Sequence, residues 1–250
     1  MPEEAISHQP LAVSQRVREY DHAKHEPVRR VLRWAITHIG FRFLAKIEFD
    51  QIEGLENLPE TGAAILMINH IAFIDPIVVL GSLPRNIVPM AKAEAYWIPI
   101  WGIFVWLWHV IPVRRGEADR EALMNALAVL KAGEIVLVAP QGTRQPSLQS
   151  AKEGIAYLAY KSGAPIIPVA IEGSRGFPTF NLNRWKEPGA RFKLGKPFRF
   201  KPIMGRLPRE ALKQMTDEAM YRLAAMLPEE RRGIYADLSK ATSQYIENSE

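Results

Sequence analysis

The chain contains no cysteine among its 250 residues, which excludes disulfides, cysteine nucleophiles and thiolate metal sites. A reducing cytoplasm suits such a composition. Histidine is scarce as well, and His8, His22, His25, His38 and His109 show no ligand spacing around His70, so a metal hydrolase finds little support. A serine hydrolase needs a G-x-S-x-G turn, and Gly173-Ser174-Arg175-Gly176 does not supply it. Zinc-finger spacing, an aromatic-basic RNA-binding strand and a recognition-helix signature are all lacking, which argues against nucleic acid. The opening residues 1–26 are polar and mixed in charge, without the basic start and apolar stretch of a secretory signal, so export is not expected. Internal repeats and low-complexity segments are also missing.

What is present is globular. Hydrophobic residues make 48% and charged residues 24% of a chain long enough to bury a core. The net charge of +5 suits an anionic membrane, an acidic carrier protein or a phosphorylated substrate, without choosing among them.

Residues 27–47 read as a basic, aromatic and apolar helix, with Arg29, Arg30, Arg33, Arg42 and Lys46 beside Trp34, Phe41 and Phe43. That composition fits either a membrane headgroup boundary or a helix packed on the domain with a solvated basic face. Residues 95–113 carry no Asp, Glu, Lys or Arg, but Pro99, Gly102 and Pro112 interrupt them and Trp97, Trp101, Trp106 and Trp108 are typical of an interface. A short helix followed by a strand, forming wall or membrane-facing surface near the site, is expected there, with a membrane span as the alternative.

Strands are expected at 62–69, 86–91, 109–113, 134–139, 164–171 and 190–200, alternating with helices at 117–132, from a Ser150–Glu153 capping box to Gly163, and at 209–226. The alternation implies an α/β domain with a largely parallel central sheet flanked by helices. The organisation reads as a polar segment 1–26, an amphipathic basic helix 27–47, the main domain 48–238 and a tail 239–250. Residues 174–189 form a loop that either closes over substrate or packs on the surface.

The most informative stretch is Asn69-His70-Ile71-Ala72-Phe73-Ile74-Asp75-Pro76, directly after the apolar run 63–68. His70 sits where a strand opens into a loop, and Asp75 followed by Pro76 reads as an N-cap and first helical residue. A carboxylate so placed can hold the imidazole in one tautomer while its other nitrogen removes a proton from a hydroxyl. A helix cap beside an ordinary loop histidine would have the same letters.

Three further segments follow in order: Lys92, Glu94, Pro99 and Gly102 leading to Ile111-Pro112-Val113-Arg114-Arg115; Ala139-Pro140-Gln141-Gly142-Thr143-Arg144 with Lys152 and Gly154; and Ala164-Pro165-Ile166-Ile167-Pro168-Val169-Ala170-Ile171. With the Asn-His-x4-Asp block, these resemble the glycerolipid acyltransferases of the 1-acyl-glycerol-3-phosphate acyltransferase type. The tail 227–237 resembles a subgroup of that family, so the likeness runs from about residue 50 to 237.

The resemblance implies transfer of a fatty acyl group from acyl-CoA or acyl carrier protein to a lysophospholipid hydroxyl at the cytoplasmic face of the membrane, with no cofactor beyond that co-substrate. His70 and Asp75 would be catalytic. The substrate-binding set would be Asn69, which also steadies the loop, Arg115 and Arg144 on the acceptor's phosphate, Lys152 as a third positive charge, Gln141, and Gly142 and Thr143 as backbone donors to an oxyanion. Gln141 stands where the family's third block usually carries an acid, which leaves open an intact enzyme, a changed acceptor, or a weakened or purely lipid-binding relative.

Overall fold

A computed structural model describes residues 22–36, 38, 52–114, 119–174, 190–203 and 207–248. The frame is a sheet in which β2 (Ala64–Ile68) lies between β5 (Ile135–Val138) and β6 (Ile166–Glu172), with β3 (Ile87–Lys92) beyond β5 and β4 (Ile111–Val113) at the edge. All of these neighbours run parallel. On the other side β7 (Arg191–Leu194) is antiparallel to β6, and β1 (Ile52–Glu53) is parallel to β7. A short branch, β8 (Phe198–Phe200) and β9 (Ile246–Asn248), continues from β6 by antiparallel pairing.

The five residues of β2 are all buried, as a central parallel strand covered on both faces requires. Their side chains alternate. Ala64, Leu66 and Ile68 enter one core with Val78, Val79, Leu83 and Trp108, while Ile65 and Met67 enter another with Ala126, Val129, Ile155, Leu158 and Leu223. Helices α1 (His22–Ala35), α2 (Asp75–Ser82) and α3 (Trp101–Trp108) cover the first face. The second is covered by α4 (Arg120–Lys131), α5 (Gly154–Ser162) and α6 (Arg209–Ala224). A last short helix, α7 (Glu229–Arg232), and a following 3-10 turn end near the sheet's carboxyl edge.

The expected α/β class and parallel sheet are observed, with three local differences. The stretch expected as one strand over 190–200 divides into β7 and β8 around Gly195-Lys196-Pro197, where proline has no N–H to donate to a ladder. The Ser150–Glu153 capping box does not form: α5 starts at Gly154, and the Lys152 N–H donates to the Pro140 carbonyl at 2.9 Å instead. Helix α1 begins ahead of residue 27, and the part expected over 39–47 lies outside the described residues. Its Arg29, expected on a basic face, is buried and donates from Nε to the Trp108 carbonyl at 2.8 Å. The inner side of α1 therefore packs on the domain, through Arg29, Leu32 and Ile36.

Residues 95–113 hold the end of a 3-10 turn (Ala93–Trp97) and then α3 and β4, the last two being the short helix and strand expected there, with the strand starting at Ile111. Among the described residues, no helix is long and apolar enough to cross a membrane.

Candidate active site

Ligands of parallel α/β sheets bind outside the carboxyl ends of the strands, where the loops converge. Here the loops after β2, β5 and β6 meet at that edge because their strands are neighbours. The loop after β2 carries His70, whose side chain is 19% exposed, and Asp75, which is completely buried. Their side chains meet, Nδ1 to Oδ2, at 3.0 Å.

Asp75 is the first residue of α2, one position later than the N-cap expected from sequence, and its carboxylate turns back onto the loop. Oδ2 accepts from the Ile71 and Ala72 backbone N–H groups, each at 2.7 Å, as well as from His70. Oδ1 accepts from the Ser174 hydroxyl at 2.5 Å. Four donors thus fix both oxygens. Placing the ring hydrogen on Nδ1, donated to this carboxylate, leaves the lone pair on Nε2.

Asn69 plays a positioning part. Both atoms of its carboxamide engage Ile171 of β6, Nδ2 donating to the carbonyl at 2.9 Å and Oδ1 accepting from the N–H at 2.7 Å. The amide therefore continues the β2–β6 ladder one residue past the strand end. Both polar atoms of the carboxamide are thus engaged by backbone, as a residue that steadies the loop requires.

The loop after β5 closes the second side. Gln141 is buried and donates from Nε2 to the Ser147 carbonyl at 3.4 Å. Gly142 has φ of 69° and its N–H donates to the Ala139 carbonyl at 2.9 Å, so it forms a turn and does not present that N–H to an oxyanion. Thr143 and Arg144 are exposed, and among the described residues no carboxylate pairs with Arg144. The Lys152 side chain lies over the turn, its Cε 3.5 Å from where a Cβ on Gly142 would stand. Arg115 lies outside the described residues; its neighbour Arg114 faces Glu121 of α4 at 3.4 Å.

The Gln145 N–H joins this loop to the His70 carbonyl at 2.9 Å. The C-terminal segment holds it from outside: the Leu148 N–H donates to the Arg231 carbonyl, the Ile234 N–H donates to the Leu148 carbonyl, and Arg231 donates from its guanidinium to the Pro146 carbonyl. Gly233 permits this approach, because a Cβ there would stand 1.9 Å from the Leu148 carbonyl oxygen. The sequence assigns no positioning role to Ser174 or Arg231. Ser174 reads there as a failed nucleophile-turn match and as the start of the loop 174–189, although a hydroxyl directly after a buried strand next to the strand bearing His70 is a signal of contact with that loop.

An imidazole–carboxylate pair at the carboxyl edge of a parallel sheet is an arrangement able to take a proton from a hydroxyl. The chain matches a model of the acyltransferase family over residues 50–172. It is similar to 1-acyl-sn-glycerol-3-phosphate acyltransferase of Bacillus subtilis, 29% identical over 172 residues that cover 67% of this chain and 83% of that protein. The alpha form of that enzyme from Mus musculus is 28% identical over 64% of this chain, and the match spans only 57% of the mouse protein. The chloroplastic enzyme of Arabidopsis thaliana is 34% identical over 49% of this chain and 36% of its own length. In three dimensions the chain resembles the 1-acyl-sn-glycerophosphate acyltransferase of Thermotoga maritima, with a TM-score of 0.51 at 24% identity over 83% of this chain and 84% of that one.

Proposed function

We propose that the protein transfers a fatty acyl group from acyl-CoA or acyl carrier protein to the free hydroxyl of a lysophospholipid, lysophosphatidate giving phosphatidate. The observation that carries this reading is the His70–Asp75 contact at 3.0 Å, with Nε2 left as the base. Relatives named as 1-acyl-sn-glycerol-3-phosphate acyltransferases support the acceptor class.

In the reaction, Nε2 takes the acceptor's hydroxyl proton as that oxygen forms a bond to the thioester carbonyl carbon. The tetrahedral intermediate then breaks its C–S bond, and the imidazolium returns the proton to the departing thiolate. General base action of this kind contributes roughly 10² to 10⁴ in rate. Arg144, exposed beside the turn, and Arg115 would hold the acceptor's phosphate through paired N–H donors, with Lys152 adding charge. Thr143 is the remaining backbone donor candidate for the oxyanion.

The lipid acceptor places the work at an anionic membrane surface, on the cytoplasmic face. The outer sides of α1, of α3 and of the turn ahead of α3 support this, since Val31, Trp34, Trp97, Ile100, Ile103 and Trp106 are between 53% and 83% exposed. Phe73, within the His70–Asp75 loop, packs edge-on against Trp101 of α3 at 4.8 Å, so this surface adjoins the site.

The test is incubation of purified protein with radiolabelled palmitoyl-CoA or palmitoyl carrier protein and a panel of lysolipids. Labelled phosphatidate from lysophosphatidate is the expected product. Product from another lysolipid alone would reassign the acceptor, and absence of product with every acceptor and both donors would favour a lipid-binding relative.

A further inference from the structure

Outside the imidazole–carboxylate pair, one buried hydroxyl touches the site. Ser174 lies just past β6, is completely buried, and its Oγ is 2.5 Å from Asp75 Oδ1. The remaining donors to Asp75 all reach Oδ2 and all come from the loop that Asp75 itself closes, namely His70, Ile71 and Ala72. Ser174 is thus the donor that reaches Asp75 from another strand.

The geometry assigns Ser174 as a positioning residue for acyl transfer: by anchoring Oδ1 it fixes the carboxylate's rotation, which aims Oδ2 at His70 Nδ1 and keeps Nε2 directed at the acceptor hydroxyl. This inference rests on the base assignment made above. The three donors to Oδ2 belong to the same short loop as Asp75 and can shift with it, whereas the bond from Ser174 to Oδ1 ties the carboxylate to a neighbouring strand end and so fixes its rotation relative to the sheet. Asn69 completes the arrangement from the other side of His70, since it is tied to Ile171 on the same β6. Residues immediately before His70 and five after it are therefore both held by one neighbouring strand end. Reorientation of a base by a fraction of an ångström is enough to slow turnover without weakening substrate binding.

The expectation for Ser174→Ala is a kcat lowered about tenfold to a hundredfold, the range for losing a hydrogen bond to a charged group, with both KM values held within roughly twofold. Ser174→Cys, nearly isosteric with a weaker donor, should fall between the two, and it serves in place of the alanine variant if that protein does not fold. In an Asp75→Ala background, Ser174→Ala should cost no more than about twofold further, because the hydroxyl acts only through the carboxylate. A kcat unchanged in the alanine or cysteine variant, or a further tenfold loss in the Asp75→Ala background, would overturn the assignment. His70→Ala measured alongside separates the two levels: full turnover there removes the base reading itself, while a dead His70→Ala with an unaffected Ser174→Ala removes only the role given to Ser174.

Discussion

Asn69 grips Ile171 by both ends of its carboxamide, at 2.7 and 2.9 Å, across 102 positions of sequence. Its side chain imitates a strand residue, so the β2–β6 pairing outlasts β2 by one step and the chain enters the His70 loop from a fixed point. Asn69→Ala leaves a buried N–H and a buried carbonyl without these partners. A loss of about 2 to 4 kcal/mol in unfolding free energy is expected, with Asn69→Asp no less destabilising at neutral pH because it sets a buried carboxylate against the Ile171 carbonyl. Urea titration followed by tryptophan fluorescence measures it, and an alanine variant as stable as the parent would contradict the role.

Gln141 is buried where relatives of this family usually have an acid, and its Nε2 donates to the Ser147 carbonyl. A carboxylate has no hydrogen to give that carbonyl at neutral pH. Gln141→Glu should therefore loosen the loop from 141 to 147 and bring no gain in lysophosphatidate acylation. Steady-state assays of both proteins check this; a several-fold increase would mean that the amide marks a weakened or redirected site.

Burial raises the Tyr96 phenol from 10.0 to about 12, against a smaller opposing effect of Arg29. The folded state thus keeps this proton where the unfolded chain releases it. Stability is unaffected below pH 10 and declines as pH rises from about 10 toward 12. Melting temperatures across that window should fall, and Tyr96→Phe should flatten part of the fall even though it loses the hydroxyl's bond to the Val110 carbonyl. A melting temperature independent of pH over the window would contradict the burial argument.

The outer apolar surface yields a prediction about lipid. Ile103 and Trp106 are 64% and 53% exposed on α3, and Ile100 ahead of it is 83% exposed with φ of 66°, a backbone state unfavourable for a β-branched residue. Ile103→Asp combined with Trp106→Asp should weaken sedimentation with anionic liposomes roughly tenfold or more, since each aromatic or aliphatic side chain removed from lipid forfeits about 1.5 to 3 kcal/mol. Unchanged sedimentation would place membrane contact elsewhere on the molecule.

Much of this architecture is written in local pattern. The runs at 64–68, 135–138 and 166–171 are apolar because both faces of a central parallel strand are covered, and that pattern is visible before any fold is known. The pairing of His70 with Asp75 is similarly legible, being confined to one loop and one helix start. What local pattern does not carry is contact across long separations. β1 and β9, two and three residues long, exist only through their partners β7 and β8. Arg29 reads as a surface cation until Trp108 is placed beside it, and Ser174 reads as a loop residue until β6 is placed beside β2. The capping box at Ser150 is a valid local signal overridden by the Lys152–Pro140 backbone bond, which ties that segment to the site loop.

The imidazole of His70 is held through Nδ1 by Asp75, and its proposed act is deprotonation of the acceptor. The most direct measurement of that act is the rate of labelled phosphatidate formation by His70→Ala, purified alongside the parent protein and verified as folded by circular dichroism. Turnover reduced by about 10² or more, with folding and liposome binding retained, is the predicted result. Turnover equal to that of the parent would contradict the account.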